Sequence, residues 1–289
     1  MTKSRTFGAF ILTHGRPGDV FTYDILRKHG YTGDIFLIVD NEDATVPQYK
    51  ERYGHDRVIV FDKEAIGKTF DLGDTQKDRR ATVFARNASF DIARQLGLSH
   101  YIQLDDDYGF FKYRYDNGDG SIGSHDVKSL DAIFDAMIDF LETSGATSVA
   151  LSQGGDFMGG IASQAMRKPL LRKCMNSWIF RTDRPTQFVG RMNDDVNTYI
   201  VHGAKGQLFF TVSGVMLNAL PTQQTAGGMT DMYRNFGTYA KSMYTVMMAP
   251  SCTTVRLMGR TDMRLHHSIR WDHAVPKIIS DTHRKKRGD

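Results

Sequence analysis

Two hydrophobic rhythms alternate along the first third of the chain. Phe7 to Thr13 is an apolar stretch rich in β-formers, stopped by His14-Gly15-Arg16-Pro17-Gly18. A helical spacing follows at Val20, Tyr23, Ile25 and Leu26 and ends at Gly30. Ile35 to Val39 is a continuous apolar run, the pattern of a strand buried on both faces of a parallel sheet, and it ends in Asp40-Asn41-Glu42-Asp43. Val58 to Phe61 predicts a third short strand. Ala81, Ala85, Ala88, Ile92 and Leu96 recur at three- and four-residue spacing, and Gly97 supplies a stop. His100 to Leu104 predicts a fourth strand, running straight into Asp105-Asp106-Asp107.

The pattern then loosens. Leu130, Ile133, Phe134, Met137, Ile138 and Leu141 line one face of a helix ended by Ser144-Gly145. Strands are expected at Thr147 to Leu151, Trp178 to Arg181, Leu208 to Val212 and Thr253 to Leu257, and helices at Asn193 to His202 and Thr230 to Met248. Gly154, Gly155, Gly159 and Gly160 form a glycine-rich loop. Alternating strands and helices predict an α/β fold with a mostly parallel central sheet flanked by helices. With no internal repeat and no low-complexity linker, one domain over residues 1–289 is expected. Residues 1–125 would form the nucleotide-binding half, 126–280 the acceptor half and 281–289 a basic tail.

The acidic triplet carries the sharpest chemistry. Three consecutive carboxylates repel one another and are costly at a strand end unless a cation neutralises them. Side chains alternate along an extended chain, so Asp105 and Asp107 should share a side. Two oxygen ligands with positions left for water and a diphosphate suit Mg²⁺ or Mn²⁺. Ligands in open α/β sheets bind beyond the carboxyl ends of strands, which is where the triplet falls, with Asp105 and Asp106 at the donor phosphates. The competing reading is an exposed acidic turn.

Two earlier strand ends add to this. Thr13, His14, Gly15 and Arg16 can wrap a base and bring Arg16 to phosphate, where a guanidinium fork matches the oxygens. Asp40 can accept a hydrogen bond from a base or ribose. Arg86-Asn87 on the preceding helix either point into the donor pocket or face solvent; burial without partners would be costly. Asp194 and Asp195, after Met192-Asn193, either supply a general base for a hydroxyl acceptor or decorate a helix N-terminus. His266, His267 and His273 lie in a late run where at most one is expected to touch a metal.

Composition adds limits. The chain has 289 residues, of which 40% are hydrophobic and 24% charged, ordinary values for a water-soluble protein with a sizeable core. No run of 18 apolar residues occurs, so no membrane partner is expected, and the first apolar run reads as a strand rather than a signal peptide. Two cysteines, Cys174 and Cys252, form neither a disulfide framework nor a zinc motif, which suits a cytoplasmic location. A net charge of +4 tilts mildly toward a polyanionic partner, and the cluster His283-Arg284-Lys285-Lys286-Arg287 reads either as part of that surface or as a solvated terminus.

The segment from Ala85-Arg86-Asn87 to Leu104-Asp105-Asp106-Asp107 resembles the helix and DxD segment of GT-A glycosyltransferases. More narrowly, the chain is similar to the TET-associated glycosyltransferases of bacteriophages. Thr13-His14-Gly15-Arg16-Pro17, Leu104-Asp105-Asp106-Asp107, Asn193-Asp194-Asp195 and Leu265-His266-His267 with Trp271 and Val275-Pro276-Lys277-Ile278 carry that resemblance. It implies a GT-A fold, a divalent metal (Mn²⁺ or Mg²⁺) and a UDP-sugar donor carrying glucose or arabinose. Asp105 and Asp107 would be metal ligands with His267 or a neighbour, and Asp195 or Asp194 the base. The implied acceptor is the hydroxyl of 5-hydroxymethylcytosine or a related pyrimidine in phage DNA, double-stranded and entered by base flipping, with inversion at the anomeric carbon. Trp178, Phe180 and Tyr199 are candidates for stacking on that base, against the plainer reading that each belongs to the core. Two rivals stand beside this reading: transfer to a glycan, lipid or protein hydroxyl, and a non-catalytic DNA-binding protein on a degenerate fold of the same kind.

Overall fold

A computed structural model describes residues 5–163, 167, 176–219, 229–258 and 263–283. Cys174 and the basic residues Arg284 to Arg287 fall outside the described residues. In chain order the elements begin with β1 (Phe7–Leu12), α1 (Phe21–Lys28), β2 (Asp34–Asp40), α2 (Val46–Tyr53), β3 (Val58–Phe61) and α3 (Lys63–Gly67). Next come α4 (Thr82–Gln95), β4 (His100–Asp105), β5 (Tyr108–Asp116), β6 (Ile122–Asp126), α5 (Leu130–Ser144), β7 (Ser148–Gln153) and β8 (Trp178–Arg181). The chain continues through α6 (Asp194–Ala204), β9 (Phe209–Ala219), α7 (Met229–Met248), β10 (Thr253–Met258), β11 (Arg264–Ile269) and α8 (Trp271–Ala274).

Nine strands form one sheet in the order β3-β2-β1-β4-β8-β7-β9-β5-β6. The first four are mutually parallel. β8 runs antiparallel to both β4 and β7, and β7 is parallel to β9. β9, β5 and β6 close the far edge with antiparallel pairings. The sheet is therefore mixed around a parallel core. Strands from the first 125 residues occupy both of its ends, with β8, β7 and β9 between them. β10 and β11 make a separate antiparallel ribbon against α7. None of the described helices is long and apolar enough to cross a membrane.

Both faces of the parallel core are covered, and β1 shows how. Ala9 and Ile11 join a cluster with Leu26 of α1, Tyr49 of α2 and Phe134 of α5, while Phe10 and Leu12 join Phe84 of α4, Trp178 and Ile200 on the other face. Period-two alternation sends successive residues to opposite layers. The same parity sets the site. On β4, Ile102 and Leu104 face the first cluster, whereas Tyr101, Gln103 and Asp105 share the face that looks at α4.

Two predicted elements differ in detail. The strand expected over Leu208 to Val212 extends to Ala219, with a register shift opposite Leu151/Ser152. The helix expected over Thr230 to Met248 is broken at Gly237, whose φ of 74° and ψ of 169° are not helical. Glycine reaches that region at no steric cost.

Candidate active site

The acidic turn sits where β4 ends, and its neighbours come from three directions. Gln103 on the α4 face donates Nε2 to the Arg86 carbonyl at 2.9 Å, which seats the strand against the helix. One step further along that face, Asp105 Oδ1 meets Arg86 Nη2 at 3.1 Å. Arg86 Nε reaches Asp194 Oδ2 at 2.8 Å. This guanidinium, only 3% exposed, joins the carboxylate that ends β4 to the one that opens α6. Arg86 and Asn87 both turn inward rather than to solvent. Asn87 donates Nδ2 to the Phe188 carbonyl at 3.1 Å and accepts the Phe188 N–H at 2.8 Å, fastening the loop that leads to α6.

Asp105 Oδ2 accepts from Asn176 Nδ2 at 2.6 Å. Burial, opposed by Arg86 and reinforced by Asp195, raises the Asp105 carboxyl. Burial is also the largest influence on Asp194, again raising it against the pull of Arg86. Asp107 is set apart. Among the described residues, no side chain is seen donating a hydrogen bond to its carboxylate, and burial with the charges of Asp105 and Asp106 pushes it up to about 7. Asp105 and Asp107 are the hard oxygen donors that a divalent cation would relieve. Among the described residues no group of three His, Cys, Asp or Glu side chains already forms a metal cage.

Asp106 points to the opposite side, away from the α4 face. Its oxygens take both arms of the Arg16 fork, at 2.6 and 2.9 Å, and Oδ2 also accepts from Thr13 Oγ1 at 2.6 Å. With its own proton committed to Asp106, Thr13 accepts from Tyr49 Oη at 2.8 Å, and that hydroxyl oxygen accepts the Arg16 N–H at 3.0 Å. Buried Asp106 (1% exposed) is thus the anchor of the β1–α1 loop, and the Arg16 guanidinium is engaged with it rather than free. The sequence expectation set Asp106 and Arg16 at the phosphates; the structure turns them toward each other. Thr22 completes the grip, donating Oγ1 to the Asp105 carbonyl at 2.7 Å and accepting the Tyr108 N–H at 3.0 Å.

At the ends of β1 and β2, Asp40 is buried behind His14. Its Oδ2 lies 2.7 Å from His14 Nδ1 and 3.0 Å from Lys63 Nζ, and Oδ1 accepts the Glu42 N–H at 3.1 Å. Burial works against its ionisation, but His14 and Lys63 outweigh it and hold the carboxyl low. Gly15 N–H donates to Asp43 Oδ2 at 2.7 Å. His14 is therefore the side chain of this pair that meets solvent, its side chain 35% exposed against 5% for Asp40.

Asn193 opens α6 with a φ of 54°, the one positive φ outside glycine among the described residues. Asparagine tolerates that region. Its Nδ2 donates to the Lys241 carbonyl at 2.8 Å and lies 3.1 Å from Thr245 Oγ1 and 3.4 Å from His267 Nδ1. The turn leaves Asp194 buried and Asp195 partly exposed at the N-terminus of α6, where the helix dipole favours negative charge. His267 belongs to β11 and reaches the site's border through Asn193. His266 Nδ1 sits 2.7 Å from the His267 carbonyl, and His273 is exposed beside Asp272.

Of the two readings of the aromatic residues, the structure takes the core. Trp178 and Phe180 are completely buried and Tyr199 is 6% exposed, all in the cluster beneath α4 and α6, so they are not available to stack on a base. Their β-strand and helix register points them at the core. Sequence reasoning also missed Asn176, Tyr49, Lys63 and Thr22. None stands in a motif; each acts through a partner 22 or more residues away.

Comparison with solved structures shows the fold. A mannosyltransferase of Pyrobaculum calidifontis, solved with GDP-Man and Mn²⁺, is 13% identical over 85% of this chain and 64% of its own, with a TM-score of 0.51. The glucosyl-3-phosphoglycerate synthase of Mycobacterium tuberculosis, solved with Mg²⁺ and UDP, is 9% identical over 92% of this chain and 88% of its own, with a TM-score of 0.48. S. aureus TarS is 10% identical over 79% and 38% of the two chains, with a TM-score of 0.45. No curated protein matches the sequence. The architecture is the GT-A fold. Residues 7–228 match the family model for TET-associated glycosyltransferases, a span that includes the acidic turn, Arg86 and the start of α6, and the chain belongs to that family.

Proposed function

We propose that this glycosyltransferase moves glucose or arabinose from a UDP-sugar to the hydroxyl of 5-hydroxymethylcytosine, or a related hydroxymethylpyrimidine, in phage DNA. The observation that carries the reading is the buried Arg86, which ties Asp105 at the end of β4 to Asp194 at the start of α6. It sets a donor-side carboxylate and an acceptor-side carboxylate at one joint. Membership of a TET-associated family supports a hydroxymethylated acceptor. The GDP-Man and Mn²⁺ held by the P. calidifontis enzyme support a nucleotide-sugar donor and a metal.

Asp105 and Asp107 would hold Mn²⁺ or Mg²⁺, with His267 closing from the β11 side. When bound, the cation stabilises the charge of the departing nucleoside diphosphate as a Lewis acid. Asp195, the more exposed of the α6 pair, takes the proton of the acceptor hydroxyl. The hydroxyl oxygen forms its bond to the anomeric carbon as the bond from that carbon to the diphosphate oxygen breaks, inverting the centre. Asp194 stays engaged with Arg86 and positions its neighbour. The acceptor base leaves the DNA stack to reach the site. The β1–α1 loop, pinned by Asp106, holds the nucleoside. The acceptor lies across α6, and the whole chain works as one catalytic unit.

The test is incubation with a panel of UDP-sugars and hydroxymethylcytosine DNA, digestion to nucleosides, and mass measurement. A hexosyl or pentosyl increment on 5-hydroxymethyl-2′-deoxycytidine is the expected result. Transfer to a polysaccharide, with none to DNA, would move the acceptor to a glycan hydroxyl.

A further inference from the structure

The β10–β11 ribbon stands beside the site, and one of its faces is cationic. Register pairs Thr254 with Ser268, Arg256 with His266 and Met258 with Arg264, so period-two alternation sends Arg256, Met258 and Arg264 to one face. The opposite face holds Val255, Leu265, His267 and Ile269 and turns inward. Ile269 packs against the core under α4 and α6, and His267 Nδ1 lies 3.4 Å from Asn193 Nδ2. Arg256 and Arg264 are both exposed, and among the described residues neither has an ion-pair or hydrogen-bond partner for its side chain. The described residues of the ribbon, 253–258 and 263–269, include no Asp or Glu. Arg260 and Asp262, one of each sign, lie in the connection outside the described residues. Diagonal neighbours on a ladder stand about 7–8 Å apart, so the two arginines repel each other with no acid between them. A polyanion relieves that repulsion, and a guanidinium fork matches phosphate oxygens.

Shape narrows the partner. Each six-residue strand spans about 20 Å, and a two-stranded ribbon fits the major groove of B-form DNA, about 12 Å wide. Leu257, Met258 and Met263 are 63%, 49% and 69% exposed at the ribbon's end. Apolar side chains beside arginines suit base edges in a groove, and they also suit a lipid surface. Place decides between the two. The ribbon borders Asn193, which opens α6 and sets Asp194 and Asp195, so a nucleic acid gripped by the ribbon has its bases within reach of that helix N-terminus. The ribbon also lies beyond residues 7–228, the span that matches the family model.

We propose that the β10–β11 ribbon is a docking surface for duplex DNA, with Arg256 and Arg264 on backbone phosphates beside the nucleotide that enters the site. This rests on the DNA acceptor proposed above and assigns its grip to residues outside the catalytic turn. Contacts of this kind carry no sequence information and release counterions, so they weaken as salt rises.

The experiment is fluorescence anisotropy of a labelled duplex of about 20 base pairs, plain or hydroxymethylated, titrated with the full chain over a series of salt concentrations. Wild type is compared with the double variants Arg256→Gln/Arg264→Gln and Arg256→Lys/Arg264→Lys, each checked for folding by thermal melting and for UDP binding with Mn²⁺ by calorimetry. The glutamine pair is expected to bind both duplexes roughly tenfold to hundredfold more weakly, with the salt slope reduced by about two and UDP binding unchanged. Sugar transfer to the hydroxymethylated duplex should show a raised KM at an unchanged kcat. The lysine pair, which keeps the charge, should retain most of the slope. Undiminished duplex binding by the glutamine pair overturns the proposal, as does a loss confined to the hydroxymethylated duplex. Arginine-dependent sedimentation with vesicles of phosphatidylcholine and about one-third phosphatidylserine, with duplex binding unaltered, overturns it in favour of a membrane. Duplex binding that needs both arginines, in a protein that transfers no sugar to DNA, upholds the ribbon's role and overturns the acceptor reading. A wild-type protein that ignores both duplexes overturns the two together.

Discussion

Arg86 Nε lies 2.8 Å from Asp194 Oδ2, so α4 and α6, which cover the same face of the sheet, share a single buried cation. The same side chain lies 3.1 Å from Asp105 through Nη2. Removing it leaves two carboxylates facing each other without compensation. Breaking a buried charge cluster by deleting one partner typically costs about 3–5 kcal/mol. Arg86→Met is expected to lose stability on that scale in denaturant titration and to abolish transfer. Arg86→Lys keeps the charge without the fork, so it should recover part of the stability while activity stays low. A midpoint unchanged in Arg86→Met would remove the cluster from any structural role.

Asn87 makes a two-way bond with the Phe188 backbone, and that contact fixes the loop before α6. Asn87→Ala strands a buried N–H and C=O. The expected loss is about 1–3 kcal/mol, read as a shift of the denaturation midpoint. Because the loop sets Asp194 and Asp195, the rate should fall further than the stability loss explains. A variant as unstable as expected but fully active would show that α6 is placed by other contacts.

Acid should act through a second, partly buried pair. Arg191, fully buried, holds Asp74 at 2.7 and 2.9 Å, and the Tyr244 hydroxyl donates to the same carboxylate. Burial is the largest influence on Asp74 and opposes ionisation, yet the Arg191 and Tyr244 bonds prevail and lower its carboxyl below the ordinary 3.8. A depressed folded-state value stabilises the protein fully above the unfolded value and loses that stabilisation as pH falls through the folded one. The stability gap between wild type and Asp74→Asn should therefore be flat from neutrality to about pH 5 and shrink below about pH 4. A gap that instead widens in acid would reverse the sign of this linkage.

The general base proposed at Asp195 is separable from the rest of the site by kinetics. Asp195→Asn should lower kcat by roughly 10²–10⁴ with donor affinity little changed, the usual worth of a positioned proton acceptor. Asp194→Asn should instead weaken the Arg86 joint and lower both stability and rate. If the two variants exchange these signatures, Asp194 is the base and Asp195 the supporting residue.

The α/β rhythm of residues 7–105 is legible because its strands are buried on both faces and its helices carry apolar stripes. Tyr108–Asp116 escapes the same reading: Lys112, Arg114 and Asp116 interrupt its aromatic residues, and the strand is recognisable from its pairing with β9 and β6. β6 reads Ile-Gly-Ser-His-Asp, with no apolar periodicity at all. The acidic triplet stands out in the sequence, but its division of labour does not. Parity predicts Asp105 and Asp107 on one side, while the partner that claims Asp106 is Arg16, 90 residues earlier. Asp40 illustrates the same limit. Its strand-end position is visible, whereas its burial behind His14 and Lys63 depends on three loops meeting at the sheet edge.

The most direct test of the account is UDP binding by wild type and Asp107→Asn, measured by calorimetry with Mn²⁺ and again after chelation. Wild type should bind UDP with the metal present and lose it on chelation, and Asp107→Asn, folded by its melting curve, should bind weakly under both conditions and transfer no sugar. Equal binding by the variant, or binding by wild type that is indifferent to the metal, would contradict a donor site built on the Asp105–Asp107 turn.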